Sequence, residues 1–459
     1  MSFPSTPLTG DEQALSYIQG ICRQYAQYHK IDPSVYERYG VKRGLRNADG
    51  TGVMAGITQI GNVRGYYIED GEKVPMDGQL IYRGINVQDL IGGFMTEGRF
   101  GYEETAYLLL FGTLPTQAQL SGFRDLLAHF RSLPANFTED MILKAPSRDV
   151  MNKLARSTLA LYSYDPDPEN KALEAEMLKA VQLIARYPVI VAHAFACKRH
   201  YYDNESLYLH RPQEGLSVAE NFLYSVRHDN QFTQDEARLL DLCLVLHMEH
   251  GGGNNSAFAC RVLSSSGTDI YSAIAAAVGS LKGPKHGGAN IKVCAMFHDI
   301  KNNVKNWDDE AEVEAYLKKI LHKEAFDKAG LIYGVGHAVY SISDPRATVF
   351  KRFVQSLSEE KGLDREFKLY TAVEKLAPQI IAKERKIYKG VSVNVDFYSG
   401  FVYDMLGLPQ ELFTPLFAIA RIAGWSAHRI EELLNAGKII RPAYKSVQPQ
   451  RPYTPLEQR

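Results

Sequence analysis

Apolar residues spaced three and four apart recur along most of this chain, and this pattern restricts it to a largely helical fold. Residues 103–116 predict a helix that stops near Gly112, since glycine readily adopts the left-handed conformation that ends helices. Residues 171–200 predict one long helix, which Pro188 should kink or break because proline removes a hydrogen bond from a helix interior. Strands and helices do not alternate regularly, which argues against a doubly wound parallel sheet.

Three further segments complete the predicted architecture. Residues 65–84 alternate short apolar runs with Asp-Gly pairs, a pattern typical of a small β-hairpin. Residues 408–437 predict two helices joined around Gly424, and residues 446–459 contain three prolines and should be extended. The predicted fold class is therefore mainly α, with a small N-terminal β-hairpin.

The charge balance and the apolar segments argue against several classes of partner. Lys plus Arg total 52 and Asp plus Glu total 53, whereas nucleic-acid-binding proteins usually carry a basic excess. The longest apolar stretch, residues 188–197, is too short to cross a bilayer, and the N-terminus does not resemble a secretory signal. Five cysteines are scattered without CxxC pairing, as in proteins of a reducing compartment. We therefore expect a cytoplasmic protein without nucleic-acid or membrane partners.

Histidines and an aspartate stand in glycine-containing segments where predicted helices end. LHMEHGGGN contains His247 and His250, GPKHGGAN contains His286, GVGHAVY contains His337, and NVDFYSG contains Asp396. A single histidine in a loop is most often structural. Their recurrence beside glycines, where backbone amides can approach a ligand closely, indicates that they converge on one cleft.

These residue types match the needs of carbon–carbon bond formation next to a thioester. A carboxylate can remove the weakly acidic proton if a hydrogen-bond donor stabilises the charge that grows on the thioester oxygen. A second donor must polarise the carbonyl that is attacked, and arginines suit the carboxylates of a dicarboxylic acceptor because their planar groups bind bidentately. The sequence supplies such an inventory in His286, His337, Asp396, Arg346, Arg421 and Arg441.

Other kinds of site fit less well. His247 and His250 could ligate a metal with Glu249 between them, but the spacing is not HExxH and no third ligand is evident, so we predict no metal site. The glycine runs do not form a Walker loop or a GxGxxG turn after a strand. The nucleophile elbow of serine hydrolases, GxSxG, is absent.

Six segments in order resemble the citrate synthase family: LHMEHGGGN, GPKHGGAN, GVGHAVYSISDPRA, NVDFYSG, ARIAGWSAH and IIRP. The earlier GQLIYRGINVQDLI is similar to the N-terminal region of that family. The resemblance implies an almost wholly helical homodimer whose protomer has two domains. Residues 1–289 and 406–459 would form the large domain and residues 290–405 the small one, which would close over the bound 2-oxo acid.

The resemblance also implies a role for each site residue. Asp396 is similar to the base that takes the acetyl proton, His286 to the donor for the thioester oxygen, and His337 to the donor for the oxaloacetate carbonyl. The implied oxaloacetate ligands are His250, His337, Arg346 and Arg421, together with Arg441 from the partner subunit. The implied coenzyme A site contains Leu331, Ile332, Tyr333, Gly334, Val335, Gly336 and Asn394. Acetyl-CoA would be a co-substrate, and no permanently bound cofactor is implied.

Departures from the family pattern leave two points open. Ser341 stands where some relatives carry a basic residue that meets the CoA phosphates, so Arg385, Lys386 or Lys389 would have to supply that charge unless they form only a solvated basic face. The loop EHGGGN replaces a DHEGGN-type loop, which places Glu249 at an aspartate position and Gly251 at a glutamate position. His247 is either a substrate ligand or structural support.

The leading functional hypothesis is citrate synthase, which condenses acetyl-CoA with oxaloacetate and water. The alternative within the family is 2-methylcitrate synthase, which uses propionyl-CoA with the same three catalytic residues. One additional methylene changes binding by only ~1–3 kcal/mol, so the motifs do not distinguish the two. A non-catalytic helical dimer that binds CoA or an organic acid, and a metal-dependent hydrolase, are the alternatives from other classes.

Overall fold

The computed structural model describes residues 11–28, 30–47, 50–386, 390–435 and 437–458. The chain divides into two compact units, one ending at Ile57 and one beginning at Thr58. The first unit contains the helices α1 (Asp11–Tyr28) and α2 (Pro33–Arg38) and a 3-10 turn at Arg43–Leu45.

The second unit is mainly helical, as predicted, and carries one small antiparallel sheet. Its strands are β1 (Gly61–Glu69), β2 (Glu72–Tyr82) and β3 (Ile85–Asn86), in that order in the sheet. Its α-helices are α3 (Val87–Thr96), α4 (Tyr102–Phe111), α5 (Gln117–Phe130), α6 (Val150–Leu161), α7 (Leu173–Asp203), α8 (Val218–Val226), α9 (Gln234–His247), α10 (Asn255–Ser265), α11 (Ile270–Lys282), α12 (Ala289–Asn303), α13 (Glu310–Leu321), α14 (Pro345–Glu360), α15 (Asp364–Arg385), α16 (Val395–Met405) and α17 (Phe413–Leu434). Short helical turns lie at Thr138–Leu143 (a π-helix), Tyr162–Tyr164, Gln410–Leu412 and Leu456–Gln458.

The predicted hairpin is confirmed, but only one of its Asp-Gly pairs is a turn. Asp70 and Gly71 both have positive φ, 49° and 80°, as the tight connection between β1 and β2 requires. Gly78 instead lies inside β2, where an added Cβ would be 2.2 Å from the carbonyl oxygen of Ser343. A Cβ at Gly65 would likewise lie 2.5 Å from the carbonyl oxygen of Val339. Both glycines therefore let the hairpin contact the backbone of the 337–344 loop directly.

Helix ends follow the sequence closely where capping residues are present. Gly112 has φ 85° and ends α4, as predicted. Thr233 caps α9 through a reciprocal pair of hydrogen bonds with Glu236, in which each side chain accepts the backbone N–H of the other residue. Two glycine-rich loops that carry histidines start from well-defined helix ends, because α9 stops at His247 and α11 stops at Lys282.

The helix break predicted at Gly424 is wrong, and Pro188, where a kink or a break was predicted, does not break its helix. The helix α7 continues through Pro188, which is buried with neighbouring apolar residues on both sides. The helix α17 continues through Gly424, so residues 413–434 form one helix rather than two. A Cβ at Gly424 would lie 2.4 Å from the carbonyl oxygen of Met248, and this glycine therefore serves close packing against the loop after α9. In both cases packing in the core outweighs the local preference.

The helix α7 is also more apolar than the 188–197 stretch alone indicates. Within the described chain it is the helix that could cross a membrane by length and composition, and 78% of its most apolar window is buried inside the protein. A core helix satisfies the same criterion, because a helix surrounded by other helices is apolar on all sides. All five cysteines are free thiols, and all but Cys22 are buried.

Candidate active site

The loop after α9 brings His250 against the loop that carries His337. The two imidazole rings meet edge to face, with ring centroids 5.2 Å apart and an interplanar angle of 87°. His250 also contacts the ring of Tyr340, at 5.7 Å. Its Nε2 is inaccessible to solvent and has no hydrogen-bond partner among the described residues, so it is available to a ligand in the space between the loops.

The backbone of its own loop fixes the tautomer of His337. The N–H groups of Val339 and Tyr340 donate to Nδ1 of His337, at 3.1 and 3.0 Å. Because Nδ1 accepts, the ring of a neutral His337 carries its proton on Nε2. The ring is stacked on that of Tyr340, with centroids 4.5 Å apart. His337 therefore presents a preorganised Nε2–H donor.

His286 is held by a serine at the start of α10. Its Nε2 lies 3.0 Å from Oγ of Ser256, to which the indole N–H of Trp425 also donates at 3.1 Å. The Ser256 hydroxyl has one proton and two acceptors within reach, His286 Nε2 and the side-chain oxygen of Asn254. When Ser256 donates to His286, the imidazole proton lies on Nδ1. Burial, with a smaller effect of the Arg421 charge, lowers the pKa of His286 to about 4, so the ring is neutral near pH 7.

Asp396 lies in the first turn of α16, and a short backbone pairing fixes its place. The N–H of Asn394 donates to the carbonyl oxygen of Gly334 at 2.9 Å, and the side chain of Asn394 caps α16 by accepting the N–H of Asp396. Oδ1 of Asp396 is inaccessible and has no hydrogen-bond partner in the part of the chain that the structure describes. Burial raises the pKa of Asp396 to about 6, although the Arg346 and Arg421 charges oppose the increase. This carboxylate is suited to accept a proton near neutral pH.

Two buried arginines flank the same space but have different partners. Arg346 is paired with Asp344, whose carboxylate accepts from Nε at 3.0 Å and from Nη2 at 2.7 Å. Arg421 donates from Nε to the carbonyl oxygen of His247 at 3.0 Å, and no carboxylate of the described residues lies within 4 Å of it. Burial and the neighbouring Arg346 charge lower the pKa of Arg421 to about 10. A bound carboxylate would relieve both effects, so Arg421 is the stronger candidate for an anion ligand.

The remaining predicted substrate ligand, Arg441, does not join this cluster within one chain. It lies in an exposed segment without regular structure after α17. No hydrogen bond or ion pair between described residues links it to the other site residues. His247 is completely buried, its ring is stacked on Phe417 with centroids 3.6 Å apart, and both of its nitrogens lack partners among the described residues. Its stacking in the core favours structural support over substrate binding.

A cavity of about 240 Å³ lies beside His337 at the predicted coenzyme A segment. It is lined by Leu331, Ile332, Val335, Gly336, His337, Tyr340, Ser341, Ile381, Arg385, Gly390 and Val391. Of the other predicted residues in this region, Tyr333 donates its hydroxyl to Asp327 at 2.7 Å and Gly334 packs against Phe397. Asn394 supports the backbone of this segment, since its side-chain amide donates to the carbonyl oxygen of Gly336 at 2.9 Å.

Of the three candidate cations for the CoA phosphates, the structure describes Arg385 and Lys386. Arg385 lines the cavity and donates to the carbonyl oxygen of Gly330 at 2.7 Å. Lys386 follows directly as the C-cap of α15, and Lys389 lies outside the described residues. A larger cavity of about 610 Å³ lies elsewhere, around the start of α9 and the end of α16, and contains none of the predicted site residues.

Several residues that shape the site were not identified from the sequence. They are Ser256, Tyr340, Asp344 and His428. Their positions within the motifs NNSAF, HAVYSISDPR and GWSAH were the available signals. Among the described residues, no group of three or more His, Cys, Asp or Glu side chains could hold a metal ion.

Comparisons with known proteins identify the family to which this chain is similar. Residues 47–443 match the family model described as citrate synthase, C-terminal domain. The citrate synthase of Synechocystis sp. is 36% identical over 80% of this chain and 84% of its own, and 2-methylcitrate synthase 1 of Corynebacterium glutamicum is 32% identical over 91% and 98%. The citrate synthase of Thermoplasma acidophilum, solved as a ternary complex with carboxymethyl coenzyme A and oxaloacetate, has a TM-score of 0.73. It is 27% identical, and the match covers 91% of this chain and 99% of that one.

Proposed function

The chain belongs to the citrate synthase family, and we propose that it condenses acetyl-CoA with oxaloacetate and water to give citrate and CoA. The observation that carries the proposal is the convergence of a carboxylate of raised pKa, the imidazoles of His286 and His337 and two buried arginines around one space. Each group meets a separate requirement of the condensation. The acyl-CoA-dependent chemistry of the family needs no additional cofactor in this proposal.

The first step in the proposal is enolisation of the acyl-CoA. Oδ1 of Asp396 removes a proton from the methyl group next to the thioester. Negative charge then grows on the thioester oxygen, where the Nδ1–H of His286 donates a hydrogen bond. This role requires that Ser256 donates to Nε2 of His286, because only that tautomer leaves the proton on Nδ1.

In the second step the enol carbon attacks the carbonyl of oxaloacetate. The Nε2–H of His337 donates to that carbonyl oxygen, and His250 contributes a second polar contact from the adjacent ring. Arg421 and Arg346 hold the carboxylates of the acceptor, so that its carbonyl faces the nucleophile. The alkoxide that results is protonated to the hydroxyl of the product, which balances the proton removed from the methyl group. Water then hydrolyses the thioester: its hydroxide joins the acyl carbon and its other proton completes the thiol of the released CoA.

Propionyl-CoA is the competing acyl donor, because relatives named 2-methylcitrate synthase are 30–32% identical to this chain. We expect kcat/KM to be higher for acetyl-CoA, measured as thiol release with oxaloacetate present. A preference for propionyl-CoA would reassign the chain to 2-methylcitrate synthesis. Absence of thiol release with both donors would favour a non-catalytic binding protein, and loss of activity with a chelator would favour the metal-dependent alternative.

We propose that residues 290–405 form a small domain and that the protein is a homodimer. The helices α12 to α16 pack chiefly on one another, which supports a separate domain in this region. The exposed segment after α17, with Tyr444 at 95% exposure, has the character of a chain that packs on a partner. Closure of the small domain over oxaloacetate would exclude water from the enol.

Arg441→Ala should raise KM for oxaloacetate because the partner subunit then lacks one carboxylate ligand. Hybrid dimers of Arg441→Ala and Asp396→Asn subunits test this geometry at an oxaloacetate concentration far below the raised KM. In the hybrid, one site keeps its own Asp396 and receives Arg441 from the other chain, so activity should exceed that of either variant alone. Each variant mixed with itself is the control. If hybrid dimers are no more active than dimers of either variant alone, Arg441 serves the active site of its own subunit.

A further inference from the structure

A buried carboxylate–imidazole pair lies directly behind His250. Glu249 and His428 are 1% and 0% exposed, and Nε2 of His428 is 3.0 Å from both carboxylate oxygens of Glu249. Nε of Arg261 donates to Nδ1 of His428 at 3.1 Å. Because Nδ1 accepts from a guanidinium, the imidazole proton lies on Nε2 and is donated to Glu249. The directions of both hydrogen bonds, from Arg261 to His428 and from His428 to Glu249, are therefore fixed.

Arg261, the outermost of these three hydrogen-bonded side chains, is bound to the last turns of α17. Nη1 of Arg261 donates to Glu432 at 2.9 Å, and Nη2 contacts Glu431. Arg261 is 9% exposed, while the two glutamates are partly accessible. The Glu249–His428–Arg261 network thus connects the partly accessible end of α17 to the loop that carries His250.

The space that Glu249 occupies exists only because two glycines border it. A Cβ at Gly61 would lie 2.7 Å from one carboxylate oxygen of Glu249, and a Cβ at Gly424 would lie 2.8 Å from the other. The same carboxylate accepts the N–H of Gly251, on the far side of His250. Glu249 therefore holds the backbone on both sides of His250 in one arrangement.

Glu249 also acts on the charge of the site. Burial would by itself raise the pKa of Glu249, but His428 and Arg421 outweigh that effect and leave the pKa below its usual value. The carboxylate is consequently ionised. In return its charge favours protonation of Arg421, which burial and Arg346 oppose. Glu249 partly balances the charge of Arg421 before a substrate binds, whereas Arg346 is paired with Asp344.

We propose that Glu249 and His428 are positioning residues for the condensation, which fix His250 and set the net charge around Arg421. The inference rests on the proposed function, because it assigns these residues to the oxaloacetate side of the same site. Neither side chain needs to contact a substrate in order to act this way. A purely structural role would change stability alone, whereas this role separates kcat from KM.

Glu249→Gln keeps the volume of the side chain and removes its charge. We expect kcat to fall roughly 10- to 100-fold, since a misplacement of about 1 Å at a reacting group costs up to about 10²-fold. KM for oxaloacetate should not rise, because loss of the Glu249 charge makes the region around Arg346 and Arg421 more positive, which favours binding of a dianion. Wild-type kcat, or a raised KM with unchanged kcat, would overturn the inference.

The matched control is Glu103→Gln, the same substitution at a carboxylate that is 2% exposed and accepts the N–H of Val218 at 2.8 Å. It lies between α4 and α8, away from the site, so kcat and KM should stay at wild-type values. At the imidazole, His428→Gln retains an N–H near the position of Nε2 and should preserve more activity than His428→Leu. Equal loss in both variants would contradict the role of the donated proton.

A readout that does not depend on activity separates this inference from the proposed function. The Nε2–H of His428, donated to a carboxylate, should give a downfield imidazole proton resonance in the wild-type protein. That resonance should be lost in Glu249→Gln and kept in Glu103→Gln. If the wild-type protein lacks this resonance, the hydrogen bond from His428 to Glu249 is contradicted, even when the enzyme is active. Thiol release absent with both acyl-CoA donors would instead refute the proposed function.

Discussion

Asp396→Asn should lower kcat roughly 10²- to 10⁴-fold, the usual contribution of a general base. The amide has nearly the same shape as the carboxylate but cannot accept the methyl proton. Arg346 and Arg421 are unchanged by the substitution, so oxaloacetate should still bind. Turnover measured by thiol release, together with oxaloacetate affinity measured by calorimetry, tests both parts of this expectation.

The control for this variant is Asp404→Asn, which changes an exposed aspartate on the same helix α16. It should leave kcat unchanged, because Asp404 lies two turns further along the helix and outside the catalytic cluster. Near-normal turnover in Asp396→Asn would remove this residue from the role of base. Loss of oxaloacetate binding in that variant would indicate a collapsed site rather than a missing base.

The pH dependence of the wild-type protein offers an independent test of Asp396. The base acts only as a carboxylate, and burial raises its pKa to about 6. Activity should therefore be lost as pH falls through about 6 and be retained above it. This acid limb of kcat/KM should disappear from the residual activity of Asp396→Asn. An unchanged acid limb in the variant would assign the titration to another group.

Arg421→Leu should raise KM for oxaloacetate by at least about 10- to 150-fold, since a single hydrogen bond to a charged group contributes about 1.5–3 kcal/mol and a guanidinium can form two such bonds. The protein itself should remain folded. Arg421 has no carboxylate within 4 Å among the described residues, and burial already disfavours its charge. Removing it leaves only the carbonyl of His247 without a donor.

Arg421→Lys provides the graded comparison for this prediction. Lysine keeps the positive charge but not the planar fork, so its KM should fall between the values of wild type and Arg421→Leu. KM for the acyl-CoA should change little in either variant. An unaltered KM for oxaloacetate in Arg421→Leu would transfer the role of carboxylate ligand to Arg346, which already shares its guanidinium with Asp344.

The helical fold class and most helix ends were predictable because their causes are local. The Thr233–Glu236 capping box and the left-handed glycine at 112 act within a few residues of the helix end they specify. The helix break predicted at Gly424 is absent and Pro188 does not end its helix, because both residues are buried among other elements. At Gly424 the absence of a side chain serves the approach of Met248, not a break in the helix.

The motifs also predicted which residues would form the site, but not how each one is held. The structure places His250, His337 and Tyr340 in mutual contact and brings the two arginines to Asp396. Arg441 remains apart from them in a single chain, and its predicted role across a subunit interface stays a prediction. The limits of the small domain at residues 290 and 405 likewise stay a prediction.

Periodicity, capping and loop motifs are properties of neighbouring residues, and for that reason the amino-acid sequence alone predicts a mainly helical chain and a set of candidate site residues. The protonation of these side chains and the directions of their hydrogen bonds depend on contacts that form only in the folded chain. The proton of His337 is placed by two backbone amides, that of His286 depends on Ser256, and the raised pKa of Asp396 comes from burial. Such effects arise between segments far apart in the chain, since solvent exclusion and charge proximity exist only after the helices have packed.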